Sequence, residues 1–175
     1  MDEYVIYTDG GCDPNPGPGG WAALILHAGK RQEISGAEMH STNNRMELTA
    51  AIEALRALPD PARVELYTDS QYLMRGITEW MPKWLAKNWR GTNGPVANKD
   101  LWQELLEESS RHTIRWKWVK GHAGHPQNEY ANHLAIRAAT EQTQSGGLVD
   151  SGYDAWAARV STAASPMRLE AFPDG

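Results

Sequence analysis

The sequence predicts an α/β domain in which a central sheet alternates with amphipathic helices. Two observations carry that expectation. The apolar runs Tyr4-Val5-Ile6 and Val64-Glu65-Leu66 both end in the same triplet, Tyr7-Thr8-Asp9 and Tyr67-Thr68-Asp69. Each reads as a buried strand that delivers an aspartate at its carboxyl end, which is where ligands gather in open α/β sheets. Between these strands, Leu48, Ala51, Ile52, Leu55 and Leu58 recur at helical spacing and form one apolar stripe. Either aspartate alone is an ordinary cap of the turn or helix that follows. Two in the same setting, with a third carboxylate at Glu47, point to a metal site.

Taken in order, Glu3 to Thr8 is rich in β-branched and aromatic residues, the first strand. The loop from Cys12 to Gly20 is dense in Gly and Pro, which argues against regular structure there. Trp21 to His27 and Arg31 to Gly36, joined by a turn at Gly29-Lys30, complete an antiparallel meander. Asn43 or Asn44 suits the N-cap of the first helix, which Pro59 stops. Glu47 lies in the first turn, in line with Ala51 and Ala54, and so borders the buried face.

A short helix follows Asp69, from Gln71 to about Gly76, and a segment interrupted by Pro82 then runs to Trp89. Arg90 to Asn98 reads as a polar loop, and Lys99 to Ser109 as a helix with Leu101, Trp102, Leu105 and Leu106 inward. In Thr113 to Val119, Ile114, Trp116 and Trp118 alternate with Arg115 and Lys117, a half-buried strand with one basic face. The last helix begins near Pro126 and buries Ala131, Leu134, Ala135 and Ala138. His125, just before it, is expected to pack or cap that helix. The domain is placed at residues 1–142. Residues 143–175 are rich in Gly, Ser and Ala and read as a weakly ordered tail, the alternative being a peptide packed back on the domain.

Composition narrows the function classes. A chain of 175 residues with 41% hydrophobic and 22% charged residues can bury a full core. No apolar run approaches the ~20 residues needed to cross a bilayer. The single cysteine, Cys12, and the acidic start Met1-Asp2-Glu3 suit a cytoplasmic protein without a secretory leader. A net charge of −5 argues against nucleic acid, but its distribution reverses the argument. Residues 75–120 hold nine Lys or Arg against five Asp or Glu, together with six of the eight tryptophans. Cations interleaved with aromatics suit phosphates and bases or sugars. Trp102 and Trp118 are read instead as core residues.

Four separated stretches carry a family resemblance: the glycine-rich loop after Asp9, Thr42-Asn43-Asn44-Arg45-Met46-Glu47-Leu48, Tyr67-Thr68-Asp69-Ser70-Gln71-Tyr72, and Trp118-Val119-Lys120-Gly121-His122-Ala123-Gly124-His125. Together they closely resemble bacterial ribonuclease HI over residues 3–140. The resemblance implies the ribonuclease H-like fold: a five-stranded mixed sheet, three antiparallel strands then two parallel ones, with helices on both faces. It implies cleavage of the RNA strand of an RNA–DNA hybrid duplex with two Mg2+ ions, Mn2+ substituting.

In that family four carboxylates hold the metals. Asp9, Glu47 and Asp69 match three of them. The fourth position, ten residues beyond His122, is Asn132. An Asp-to-Asn exchange is often made deliberately to cripple such a site, so an engineered variant is the leading explanation, ahead of natural divergence. Reduced activity with hybrid binding kept is expected. His122 matches the family's loop histidine, which moves a proton or aids product release. By the same resemblance Cys12, Asn15, Asn43, Asn44 and Gln71 supply short polar contacts near the minor groove. Trp80, Lys83, Trp84, Lys87 and Arg90 belong to a basic protrusion that takes the DNA strand.

Two rivals have their own signatures. A resolvase- or integrase-type nuclease of the same fold shares the strand-end carboxylates but lacks the basic Trp-rich insert and the Gly-His-Ala-Gly-His loop. A catalytically inactive hybrid-binding module is made credible by Asn132. No apolar surface stripe asks for a partner, so a monomer is expected.

Overall fold

The computed structural model describes residues 1–91, 94–121 and 125–161. A six-stranded sheet runs, in spatial order, through Thr113–Trp118, Ala62–Thr68, Asp2–Cys12, Gly17–His27, Lys30–Ser41 and Val149–Asp150. Its antiparallel half is β1 (Asp2–Cys12), β2 (Gly17–His27) and β3 (Lys30–Ser41). Its parallel half adds β4 (Ala62–Thr68) beside β1 and β7 (Thr113–Trp118) beside β4. These five are the strands the sequence anticipates, in the anticipated directions. The meander is longer than its propensity predicts, because β1 and β2 continue pairing into the glycine-rich stretch, out to Cys12 opposite Gly19. The chain then turns only over residues 13–16.

Strand β2 shows how the core divides. Trp21, Ala23 and Ile25 lie on the side of α1 (Asn43–Arg56), in the core cluster that α4 (Lys99–Ser110) also enters, and Ala22 and Leu24 lie on the side of α5 (Pro126–Glu141). The period-2 alternation of the strand thus feeds two apolar layers. The apolar stripes expected on α1 and α5 are buried, and so is Trp102. The α1 N-cap is Thr42 and not either asparagine: its Oγ1 accepts from Arg45 N at 3.2 Å. That frees Asn43 for another task, described below.

After β4 the chain forms α2 (Gln71–Arg75), a π-helical turn at Gly76–Trp80 and α3 (Met81–Ala86). Pro82 does not interrupt this run. It sits in the first turn of α3, where its missing N–H costs nothing. Gly76 is needed for packing, since a Cβ there would collide with the Trp102 ring. Within the expected loop, β5 (Arg90–Gly91) pairs with β6 (Gly94–Pro95).

The expectation of a weakly ordered tail from residue 143 is corrected as far as Ser161. Ser145 exchanges hydrogen bonds with Ser35 (N to O 2.9 Å; Ser35 N to Oγ 3.1 Å), and Gln144 Nε2 donates to Ala37 O at 2.7 Å. A sixth strand, β8 (Val149–Asp150), pairs with β3. Helix α6 (Tyr153–Ser161) then buries Tyr153 and Trp156 on α5. The edge of β3 would otherwise present unpaired backbone groups, and two aromatics three residues apart suffice to dock a short helix. Residues 162–175 lie outside the described residues. Among the described residues no helix is long and apolar enough to cross a membrane.

Candidate metal centre and nucleic-acid interface

The two Tyr-Thr-Asp triplets lie side by side. Tyr7 is the register partner of Tyr67 across the parallel β1–β4 pair, and their rings stack with centroids 4.7 Å apart. Two residues on, Asp9 and Asp69 leave the same end of the sheet. Glu47 arrives from the first turn of α1. One carboxylate oxygen from each of the three lies within 4.8 Å of the others.

The approach of α1 depends on Gly10. A Cβ at this position would run into the backbone of Met46, so only glycine lets the helix turn lie against the strand. In return the Gly10 N–H donates to Glu47 Oε1 at 2.5 Å. Thr68 Oγ1 lies 3.4 Å from Glu47 Oε2. Asn132 completes the cluster from α5, its Nδ2 donating to Asp9 Oδ2 at 2.6 Å. Gly121 packs against the Asp69 carboxylate, where a Cβ would sit 3.0 Å from Oδ2.

Asp9, Glu47 and Asn132 are buried and Asp69 is half-buried. Burial, followed by the charge of Asp69, pushes the Asp9 carboxyl up to about 8. Glu47 is raised well above the usual range by burial, then by the charges of Asp9 and Asp69. Carboxylates this close and dry cannot all ionise alone. A hard divalent cation with oxygen ligands relieves that repulsion.

The groove residues behave differently from one another. Cys12, expected to touch substrate, is fully buried, and burial holds its thiol up at about 11. Its backbone N–H donates to Asn43 Oδ1 at 2.7 Å, and Asn43 N donates to Asn15 Oδ1 at 3.0 Å. The Cys12 backbone therefore holds the Asn43 side chain, and the Asn43 backbone in turn holds Asn15. Asn44 and Gln71 are exposed beside the cluster at the starts of α1 and α2.

In the protrusion, Trp80 and Trp84 are half-buried members of an aromatic stack with Tyr72, Trp89 and Trp102, with centroid spacings of 5.4–6.0 Å. Lys83, Lys87 and Arg90 stand exposed around it. A groove of about 380 Å3 runs between this stack and the β5–β6 hairpin. His122 lies outside the described residues. His125 occupies the α5 N-cap position, exposed and with no capping side-chain bond.

Trp118 overturns a sequence expectation. It is 46% exposed and not core, and its Nε1 donates to the Asp69 carbonyl at 3.3 Å. Its alternation with Ile114 and Trp116 hides this, because β7 is an edge strand that ends at the site. Gly10, Thr68 and Gly121 were also missed. The contacts of Gly10 and Thr68 with Glu47, and of Gly121 with Asp69, join segments far apart in the chain and leave no local pattern.

A mixed sheet with acidic side chains gathered at its strand ends from three separate elements presents a cluster that could hold a metal ion. The RNase H family model matches residues 1–140, and the chain belongs to this family. It is similar to the Ribonuclease H of Hahella chejuensis (strain KCTC 2396), 60% identical over 136 residues, covering 77% of this chain and 92% of that one. Similarity to the Ribonuclease H of Granulibacter bethesdensis (strain ATCC BAA-1260 / CGDNIH1) is 57% over 137 residues, covering 78% and 91%. Among solved structures it is similar to LC9-RNase H1, described as a type 1 RNase H with the type 2 active-site motif. The TM-score there is 0.87 at 47% identity, covering 99% of this chain and 89% of that one.

Proposed function

We propose that this protein hydrolyses the RNA strand of RNA–DNA hybrids, leaving 5′-phosphate ends, and that its site takes two Mg2+ ions, with Mn2+ as a substitute. The observation that carries the reading is the convergence of Asp9, Glu47 and Asp69 within 4.8 Å, with Asn132 against Asp9. The donor set fits the ions. It is all oxygen, as magnesium requires, and a cation would relieve the burial and mutual repulsion that raise the Asp9 and Glu47 carboxyls. Asp9, Glu47 and Asp69, with Oδ1 of Asn132, would hold the ions between them. When bound, they supply the positive charge that activates a water and steadies the leaving 3′ oxygen.

The protein's own contribution is placement. Gly10 N–H fixes Glu47, the parallel strands fix Asp9 and Asp69, and Trp118 restrains the backbone of Asp69. Asn132 uses its amide donor on Asp9 and keeps Oδ1 as the oxygen it can offer metal. His122 moves a proton or eases product away. Asn15, Asn43, Asn44 and Gln71 read the 2′-hydroxyl in the wide minor groove of the hybrid. Trp80, Lys83, Trp84, Lys87 and Arg90 take the DNA strand.

Asn132 is better read as a native member of the site than as an engineered change. LC9-RNase H1, at 47% identity, is described as a type 1 RNase H with the type 2 active-site motif, so an unusual active-site motif also occurs in a relative of this chain. With one formal charge fewer, the site holds metal less tightly and turns over more slowly at low Mg2+. The same missing charge favours a second reading, a non-catalytic hybrid-binding module. Incubating the chain with Mn2+ and, in parallel, RNA–DNA hybrid, duplex DNA and duplex RNA separates the readings. RNA-strand cleavage of the hybrid alone is expected. Cleavage of duplex DNA points to another nuclease of this fold. No product even from Asn132→Asp points to the binder.

A further inference from the structure

We propose that the segment Gln144–Ser161 is a positioning element of the active site, holding α5 where Asn132 reaches Asp9. The inference rests on the hydrolytic reading above. The C-terminal half of α5 is pinned to the sheet: Gly20 of β2 lies so close to Ala135 and Ala139 that a Cβ there would overlap the helix backbone. The N-terminal half, which carries Asn132, has no side-chain cap at His125. That half is buried on the sheet, Tyr130 sharing an apolar cluster with Ala22 and Leu24 of β2, and its angle is set by one further hold.

That hold is made two residues before Asn132 and one residue after it. Tyr130 donates its hydroxyl to Glu33 Oε1 at 2.5 Å, and Gly152 N donates to the same oxygen at 3.0 Å. Glu33 is buried, with Arg137 3.9 Å from its other oxygen. One carboxylate thus joins β3, α5 and the C-terminal segment. Trp156 packs on the rings of both Tyr130 (centroids 5.3 Å) and His133 (6.0 Å). The segment itself is tied to β3 by the Val149–Glu33 pairing and by the Arg31–Asp154 ion pair at 3.2 Å. It therefore carries a restraint from the sheet to the half of α5 that bears Asn132.

The test uses the full chain with Tyr130→Phe, Glu33→Ala, Glu33→Gln and Trp156→Leu, each assayed well below its own melting temperature. Mn2+ affinity is read by calorimetry, and kcat and KM on hybrid are read alongside. We expect Mn2+ affinity and kcat to fall roughly tenfold in Tyr130→Phe, Glu33→Ala and, within the segment itself, Trp156→Leu, with KM unchanged. Glu33→Gln, which keeps an acceptor, should recover most of the loss. In an Asn132→Ala background the same changes should have no further effect on Mn2+ affinity, because they act through Asn132. Variants that melt earlier but bind Mn2+ and turn over like the parent overturn the inference, as does a loss that persists in the Asn132→Ala background. A parent chain that binds Mn2+ without cleaving hybrid overturns the hydrolytic reading instead, and the affinities still decide this one.

Discussion

Asn132 Nδ2 donates to Asp9 Oδ2 at 2.6 Å, a link between α5 and β1 across the site. An aspartate at 132 would face Asp9 as a second carboxylate and would need a cation or a shared proton to stay there. Asn132→Asp should lower the Mg2+ concentration for half-maximal cleavage and raise the rate at fixed Mg2+. Asn132→Ala removes the oxygen as well and should cost at least the ~10–100-fold seen on losing an outer partner of a metal site. A Mg2+ titration of cleavage by the three proteins checks both. An unchanged midpoint in Asn132→Asp contradicts the role given to this position.

The raised carboxyls make the metal-free protein sensitive to pH. For Asp9 the ordinary value is 3.8 and the folded value about 8, and Glu47 moves in the same direction from 4.5. In that window the folded chain binds more protons than the unfolded one. Stability contributed by the protonated groups is whole below about pH 3.8 and is lost as pH rises through about 8. With chelator present, Asp9→Asn should melt higher than the parent at pH 8 and lose that advantage near pH 4. Mg2+ should raise the parent's Tm more at pH 8 than at pH 6, since ligation needs the deprotonated form.

His112 should make an opposite contribution to the pH profile. Its Nδ1 accepts from Ala62 N at 3.1 Å and its Nε2 reaches Leu55 O at 3.3 Å, a pairing that needs the neutral ring. Burial, and after it the Arg111 charge, lowers its pKa from 6.5. The unfolded chain therefore protonates first, and stability falls as pH drops below about 6.5. His112→Ala should cost about 1–2 kcal/mol at pH 8 by stranding the Ala62 N–H, and should flatten the Tm profile below pH 6.5. Thermal melts across pH 5–8 measure both.

Lys83, Lys87 and Arg90 surround the tryptophan stack without ion-pair partners among the described residues. Each should release about 0.9 counterion when it meets a phosphate. Replacing all three by Ala should weaken hybrid binding and reduce the slope of log affinity against log salt by roughly two to three. Binding and slope equal to the parent's would remove the protrusion from the interface.

The legibility of this molecule in its sequence follows physical lines. Period-2 and period-3.6 patterns are local, so the five strands, the stripes of α1 and α5 and the buried Trp102 could be read directly. The repeated Tyr-Thr-Asp triplet points to a metal site in the sequence itself, and the parallel register of Tyr7 with Tyr67 adds that its two aspartates leave the same end of the sheet. Cys12 and Trp118 were assigned to the wrong environments because their exposure depends on what covers a strand end, which no window of residues encodes. Residues 144–161 looked disordered because Gly, Ser and Ala dominate their average. Two aromatics and a sheet edge needing partners outweigh that average.

The most direct test of the central claim is the rate of RNA-strand cleavage in an RNA–DNA hybrid as Mg2+ is titrated, for the native chain beside Asp69→Asn. The account predicts Mg2+-dependent cleavage by the native chain and its collapse in Asp69→Asn with the fold intact. Equal rates for the two proteins, or a native chain inert at every Mg2+ concentration, would contradict it.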